Sequence, residues 1–163
     1  MSLAEIRKDA VNHTMTVISD WPAPVERVWE LWADPRKLER WWGPPMYPAT
    51  VVQHDLRPGG KVSYFMTGPE GDEHHGYWII GEVGAPHRFT FKDGFADAEG
   101  SANDELPTTQ TTVSLSAVPD GGTRMSVETH FPSPEAMQQL IDMGMEEGLK
   151  EAMGQIDAIL AEG

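Results

Sequence analysis

The sequence predicts an α+β domain in which a curved antiparallel sheet wraps around a long C-terminal helix, with two short helices after the first strand. Three observations carry this. Apolar residues fall at helical spacing early in the chain and switch to alternation from about Ala49. The alternating stretches are joined by short Gly/Pro turns, which make consecutive strands antiparallel neighbours. The chain then closes on a run from Ser133 to about Leu160 that contains no proline after its first turn.

Taken in order, residues 1–9 are polar and are expected as a disordered start. Asn12-His13-Thr14-Met15-Thr16-Val17-Ile18 is rich in β-branched residues and reads as the first strand. Asp20-Trp21-Pro22-Ala23-Pro24 stops it and opens a helix, with Pro24 suited to a first turn where no amide donor is needed. Val25, Val28, Trp29 and Trp32 follow at i, i+3, i+4 and i+7. Asp34-Pro35 restarts the pattern as N-cap and first helical residue, and Leu38, Trp41 and Trp42 continue it to Gly43-Pro44-Pro45. Strands are expected at 50–56, 61–67, 74–82 and 88–91. Residues 93–107, with five carboxylates among Gly, Ala and Ser, read as a mobile surface loop. Two more strands, 108–118 and 123–131, meet at the hairpin Pro119-Asp120-Gly121-Gly122. Ser133, Pro134 and Glu135 supply the N-cap, first residue and first-turn acid of one long helix. No repeat or second boundary appears, so 1–163 is expected as a single domain.

Composition narrows the function classes. The chain has 163 residues with 12 Lys+Arg against 26 Asp+Glu, a net charge of −14. Phosphate contacts need clustered Lys and Arg, which argues against nucleic acid, and the same repulsion disfavours an anionic membrane surface. The absence of cysteine excludes a disulfide framework, a thiolate nucleophile and a Cys-ligated metal, and it fits the cytoplasm. No apolar run approaches the roughly 18–20 residues of a membrane span. Met1-Ser2-Leu3-Ala4-Glu5 lacks the charged-then-apolar pattern of a signal peptide.

Ala23-Pro24-Val25-Glu26-Arg27-Val28-Trp29 and the stretch from Asp34-Pro35-Arg36 through Trp41-Trp42-Gly43-Pro44 form one set of motifs. Asp55-Leu56-Arg57-Pro58-Gly59-Gly60 and Met143-Gly144-Met145-Glu146-Glu147-Gly148-Leu149 complete it. In this order, over essentially the whole chain, they resemble the activator-of-heat-shock-protein-ATPase-homologue-like family of the START-like, or SRPBCC, superfamily. The resemblance implies a helix-grip fold with a cavity between sheet and helix. It also implies a choice of functions, because that superfamily includes lipid and hormone binders, aromatic-polyketide cyclases and a co-chaperone domain. Many relatives carry Trp where this chain has Leu149.

The expected cavity wall is Trp42, Tyr64, Met66, Trp78, Phe91, Met145, Leu149 and Met153, with Gly144 and Gly148 beside it. Each mid-helix glycine costs about 1 kcal/mol relative to Ala. Two readings account for them: close packing of helix on sheet, or a cavity kept open. Nine methionines suit an adaptable apolar lining. The histidines are scattered without metal-ligand spacing, and no nucleophile elbow, phosphate loop or dinucleotide fingerprint is present, so no metal or cofactor is expected. His74 and Asp55 are the candidates for moving protons. The leading expectation is a non-enzymatic binder of a small, apolar, lipid-like molecule, neutral or cationic. The alternatives are a cyclase, dehydratase or hydrolase using the same cavity, and a co-chaperone stimulating a chaperone ATPase. A chaperone and a second copy of the chain are the protein partners left open.

Overall fold

Alternation of side chains along the strands gives the sheet one buried face, and the helices exist to cover it. The computed structural model describes residues 2–162. The strands are β1 (Ser2–Asp9), β2 (Thr14–Trp21), β3 (Ala49–His54), β4 (Lys61–Thr67), β5 (Glu73–Gly84), β6 (Arg88–Ala96), β7 (Thr109–Ala117) and β8 (Thr123–His130). They form one eight-stranded antiparallel sheet in the order β1-β2-β8-β7-β6-β5-β4-β3. The helices are α1 (Val25–Ala33), α2 (Pro35–Trp41), α3 (Pro134–Asp142), α4 (Met145–Met153) and α5 (Ile156–Leu160). This is the α+β helix-grip architecture. Among the described residues no helix is long and apolar enough to cross a membrane.

Register aligns the buried face from strand to strand. Val17 of β2 pairs with Val127 of β8, Val127 with Val113 of β7, and Val113 with Phe89 of β6. A register shift between Ile80 and Val83 bends β5, as an extra residue in one strand does.

The short helices fill their half of that face with tryptophan. Asp34 caps α2 by accepting from the Arg36 amide at 2.9 Å, with Pro35 in the first turn. Trp32 of α1 meets Trp41 of α2 edge-on, ring centroids 4.7 Å apart, and Phe89 of the sheet at 5.5 Å. Phe89 stacks on Phe91, which stacks on Trp78 at 4.2 Å. The Trp41 indole donates to the Leu31 carbonyl at 2.9 Å, and the Trp32 indole to the Met125 sulfur at 3.4 Å. Polar contacts tie the C-terminal helices to this block. Gln155 donates to the Gly43 carbonyl at 2.7 Å, Arg27 to the Leu160 carbonyl at 2.7 Å, and Arg40 pairs with Glu162.

Three expectations change. Within the stretch expected as disordered, Met1 lies outside the described residues and Ser2–Asp9 is β1, paired along β2. An edge strand needs backbone partners more than apolar residues. The turn that returns the chain is closed by the Asp9 carboxylate, which accepts from the Val11 and Asn12 amides. The C-terminal run is three helices rather than one. Ser133 caps α3 by accepting from the Ala136 amide, but Gly144 takes φ +94°, a left-handed conformation that ends one helix and starts the next. Finally, β6 runs on to Ala96, so the first part of the 93–107 segment is sheet. The remainder folds back in a turn in which Asp97 accepts from the Glu99 and Ser101 amides.

Phe89→Ala removes a fully buried ring with aromatic neighbours on three elements. It is expected to lower unfolding free energy by about 3–5 kcal/mol in urea titrations. Cutting the exposed Lys37–Glu30 pair by Lys37→Ala is expected to cost less than about 1 kcal/mol in the same assay.

Candidate functional site

Beside the tryptophan block, with Trp42 shared between the two, α3 and α4 cross the buried face and leave a cavity of about 320 Å³. Its helix side is apolar, with Leu140, Met145 and Leu149 facing inward. The space exists because the helix carries no side chain where it would fill it. A β-carbon at Gly148 would meet only the Pro44 ring, 3.8 Å away, and one at Gly144 would meet nothing within 4 Å. The close-packing reading of these glycines is therefore set aside. Gly144 is required by its backbone conformation, and Gly148 borders open volume.

The sheet side of the cavity is more polar. Tyr64 of β4 pairs with Gly76 of β5, and its ring lies across that glycine. A β-carbon at position 76 would sit 2.5 Å from the Tyr64 hydroxyl oxygen. A side chain there would push the ring away, so Gly76 lets Tyr64 reach over β5 toward Asp93 on β6. Burial pushes the Asp93 carboxyl up to about 7, opposed by its interaction with the Tyr64 hydroxyl. The Tyr64 hydroxyl is raised well above its usual value, by burial first and then by the nearby Asp93 charge, and it stays protonated. The indole nitrogens of Trp42 and Trp78 interact with the same hydroxyl, but neither completes a hydrogen bond. Thr109 pairs with Asp93 across the strands, and Thr111 with Thr129. All three threonines are buried and line the cavity.

The residues expected at the site are divided by the fold. Trp42, Tyr64, Met66, Gly144, Met145, Gly148 and Leu149 border the cavity. Trp78, Phe91 and Met153 do not; they are at most 1% exposed and belong to the core behind it. Phe91 alternates with Asp93 on the same face but is covered by the Trp78 ring. His74 stands at the rim, half turned to solvent, bonded to Asp72 at 2.5 Å and edge-on to Tyr47. Asp55 is at the surface, paired with Arg57 at 2.9 Å. The proposed proton-moving pair is thus not assembled.

Asp93 was missed because the segment after Phe91 reads as loop. The signal was present: Phe89, Phe91, Asp93 and Phe95 continue one alternation, which puts the carboxylate in line with buried rings. Gly76 and Gly94 were a second signal, since each faces a tyrosine across a strand pair, Tyr64 and Tyr77 respectively. Among the described residues no group of three or more His, Asp or Glu side chains could hold a metal ion.

The solved structures most informative for this chain share its whole length. Protein Ms6760 from Mycobacterium smegmatis is 48% identical, with 97% of this chain and 96% of that one covered and a TM-score of 0.90. A protein from Arthrobacter aurescens is 44% identical, with 99% and 94% covered and a TM-score of 0.94. One from Staphylococcus epidermidis, at 24% identity, shares the fold with a TM-score of 0.82 over 99% of this chain and 94% of that one. No curated protein matches. Residues 22–161 match the family described as activator of Hsp90 ATPase homolog 1-like protein. With that match spanning both short helices, strands β3 to β8 and the C-terminal helices, the chain belongs to this family.

Proposed function

We propose that the protein binds a small, largely apolar molecule between the sheet and the C-terminal helices. The observation that carries this reading is the cavity of about 320 Å³, walled by Met66, Leu140, Met145 and Leu149 and bordered by Gly148 instead of a side chain. Flexible methionines at the wall adapt to varied apolar shapes. The net charge of −14, with a carboxyl on the cavity floor and no Lys or Arg lining it, disfavours anions. A soluble carrier or sensor in the cytoplasm fits the cysteine-free acidic chain. An acid–base enzyme in the same cavity would have to use Asp93 with Tyr64 rather than His74 with Asp55. Stimulation of a chaperone ATPase, which the family's description invites, would rest on an exterior surface. Of the large exposed apolar residues, Val11, Val52 and Ile79 are spread over different strands and turns. Met46 and Tyr47 are adjacent, with Tyr47 edge-on to His74 at the cavity rim, and Met143 lines the cavity itself. The part of this surface that gathers does so at the cavity, which favours the interior reading.

A ligand at 100 times its dissociation constant adds about 2.7 kcal/mol, a melting-temperature rise of roughly 5–10 °C for a domain of this size. Screening folded protein against lipids and aromatic compounds is expected to find such a rise. No shift across the set would count heavily against the reading. Gly148→Leu places a side chain in the open volume and is expected to abolish the shift. The variant should fold, because leucine is the better helix former by roughly 1 kcal/mol.

The Asp93 carboxyl gives a second test. Its folded value of about 7 lies above the ordinary 3.8, so the folded state binds this proton more tightly than the unfolded chain. Stability from this group is full below about 4 and is lost as pH rises toward about 7. His74 and His75 also border the cavity, but they are bonded outward to Asp72 and Glu73. Asp93→Asn is therefore expected to gain on the parent by a few kcal/mol between pH 5 and pH 8 in urea titrations. A difference that does not change with pH would show that Asp93 is not held in a buried site.

A further inference from the structure

The cavity has two unlike sides, and the polar one is organised. Tyr64 on β4, Asp93 on β6, Thr109 and Thr111 on β7 and Thr129 on β8 form a band across the sheet face, opposite the apolar side chains of α3 and α4. Asp93 and Thr109 are direct cross-strand partners, as are Thr111 and Thr129. Tyr64 is held over Gly76 and engages Asp93 on one side. The two indole N–H groups that interact with its oxygen are buried and complete no hydrogen bond of their own. Buried donors without acceptors are costly, so they bias this hydroxyl to accept from them and to give its own proton to Asp93.

That arrangement discriminates among ligand head groups. An anion would meet the Asp93 carboxyl in a low-dielectric space with no Lys or Arg on the cavity wall. A cation would find one carboxyl but also the positive ends of two indole dipoles and the Tyr64 hydroxyl, with few acceptors for an ammonium group's three donors. An uncharged hydroxyl is donor and acceptor at once, which matches a carboxyl flanked by threonine hydroxyls. We infer that the cavity selects uncharged hydroxyl-bearing ring compounds, phenols or alcohols, whose hydroxyl hydrogen-bonds Asp93 and Thr109 while the ring body lies under Leu140, Met145 and Leu149. This rests on the cavity-binding reading above and adds the chemical class of the ligand.

The test uses four probes of one skeleton, naphthalene, 2-naphthol, 2-naphthoate and 1-naphthylmethylamine, titrated calorimetrically into the full chain at pH 6.5. Hydrophobicity alone ranks naphthalene first, because a hydroxyl is better hydrated. The expected order is the reverse, with 2-naphthol at least tenfold tighter than naphthalene and the carboxylate and ammonium probes weaker than both. Asp93→Leu is expected to bring the naphthol-to-naphthalene ratio to about one while naphthalene still binds. Thr109→Val, which keeps the side-chain shape, should reduce the ratio severalfold and keeps the test open if the leucine variant does not fold. A parental ratio of one or less, tighter binding of either charged probe, or a ratio unchanged in both variants overturns the inference while leaving an apolar cavity in place. Failure of every probe to bind the parent overturns both the inference and the cavity-binding reading on which it rests.

Discussion

The concave face of a bent sheet must be covered along its whole length, and the side chains available for the two halves differ greatly in volume. Over one half, α1 and α2 deliver Trp29, Trp32, Trp41 and Trp42 onto Phe89, Phe91 and Trp78. Over the other half, the segment from Pro134 to Leu160 contains no aromatic residue at all. Methionine, leucine and glycine span the same gap with less volume. Protein interiors pack close to crystal density, so such a shortfall is not spread thinly through the core; it gathers in one place. The cavity is that place, and Gly148 and Leu149 mark where a larger side chain would have closed it.

The same difference in packing explains why polar groups survive inside. In the tryptophan block nearly every ring meets another ring, and the indoles of Trp32 and Trp41 find acceptors on nearby atoms. Toward the cavity the rings thin out to Trp42, Tyr64 and Phe95, and the strand positions that continue the alternation of Phe91, Val113 and Val127 carry Asp93, Thr109, Thr111 and Thr129. Phe91 and Asp93 are two residues apart on one face, one stacked under Trp78 and the other facing open volume. A carboxyl in that position has its ionisation suppressed by burial and retains a hydrogen-bonding role near neutral pH. Gly76 and Gly94, each covered by a tyrosine ring from the neighbouring strand, show how the sheet accommodates large side chains without opening its ladder.

Much of the architecture was legible in the chain because its signals are local. Asp34-Pro35, Ser133-Pro134 and the helical spacing of Val25, Val28, Trp29 and Trp32 depend only on neighbours in sequence. The helix-side cavity residues were legible for the same reason: Met145, Gly148 and Leu149 lie on one stretch of helix. What escaped were features set by partners far away in the chain. Ser2–Asp9 is a strand because β2 offers it a ladder, and its own composition does not say so. Trp78, Phe91 and Met153 look like pocket wall by type and periodicity, but their depth depends on what stacks against them. Asp93 was hidden by the polarity of the turn that follows it, although its alternation with Phe89 and Phe91 was on view. Asp55 and His74 share a candidate chemistry, yet one faces solvent beside Arg57 and the other sits at the rim.

The left-handed residue between α3 and α4 has a consequence for how the interior communicates with its surroundings. Cooperativity in a helix passes through its unbroken hydrogen-bond ladder, and the ladder is interrupted at Met143 and Gly144. The start of α4 is therefore separated from the ladder of α3, while its last turn is anchored in the core by Ala152 and Met153. Its outer tether is the ion pair of Glu146 with Lys8 at 2.6 Å, which reaches it from the edge strand. Under the binding proposal, entry to the cavity would fall to the end of α4 beside Gly144, and the eight strands beneath would keep their register.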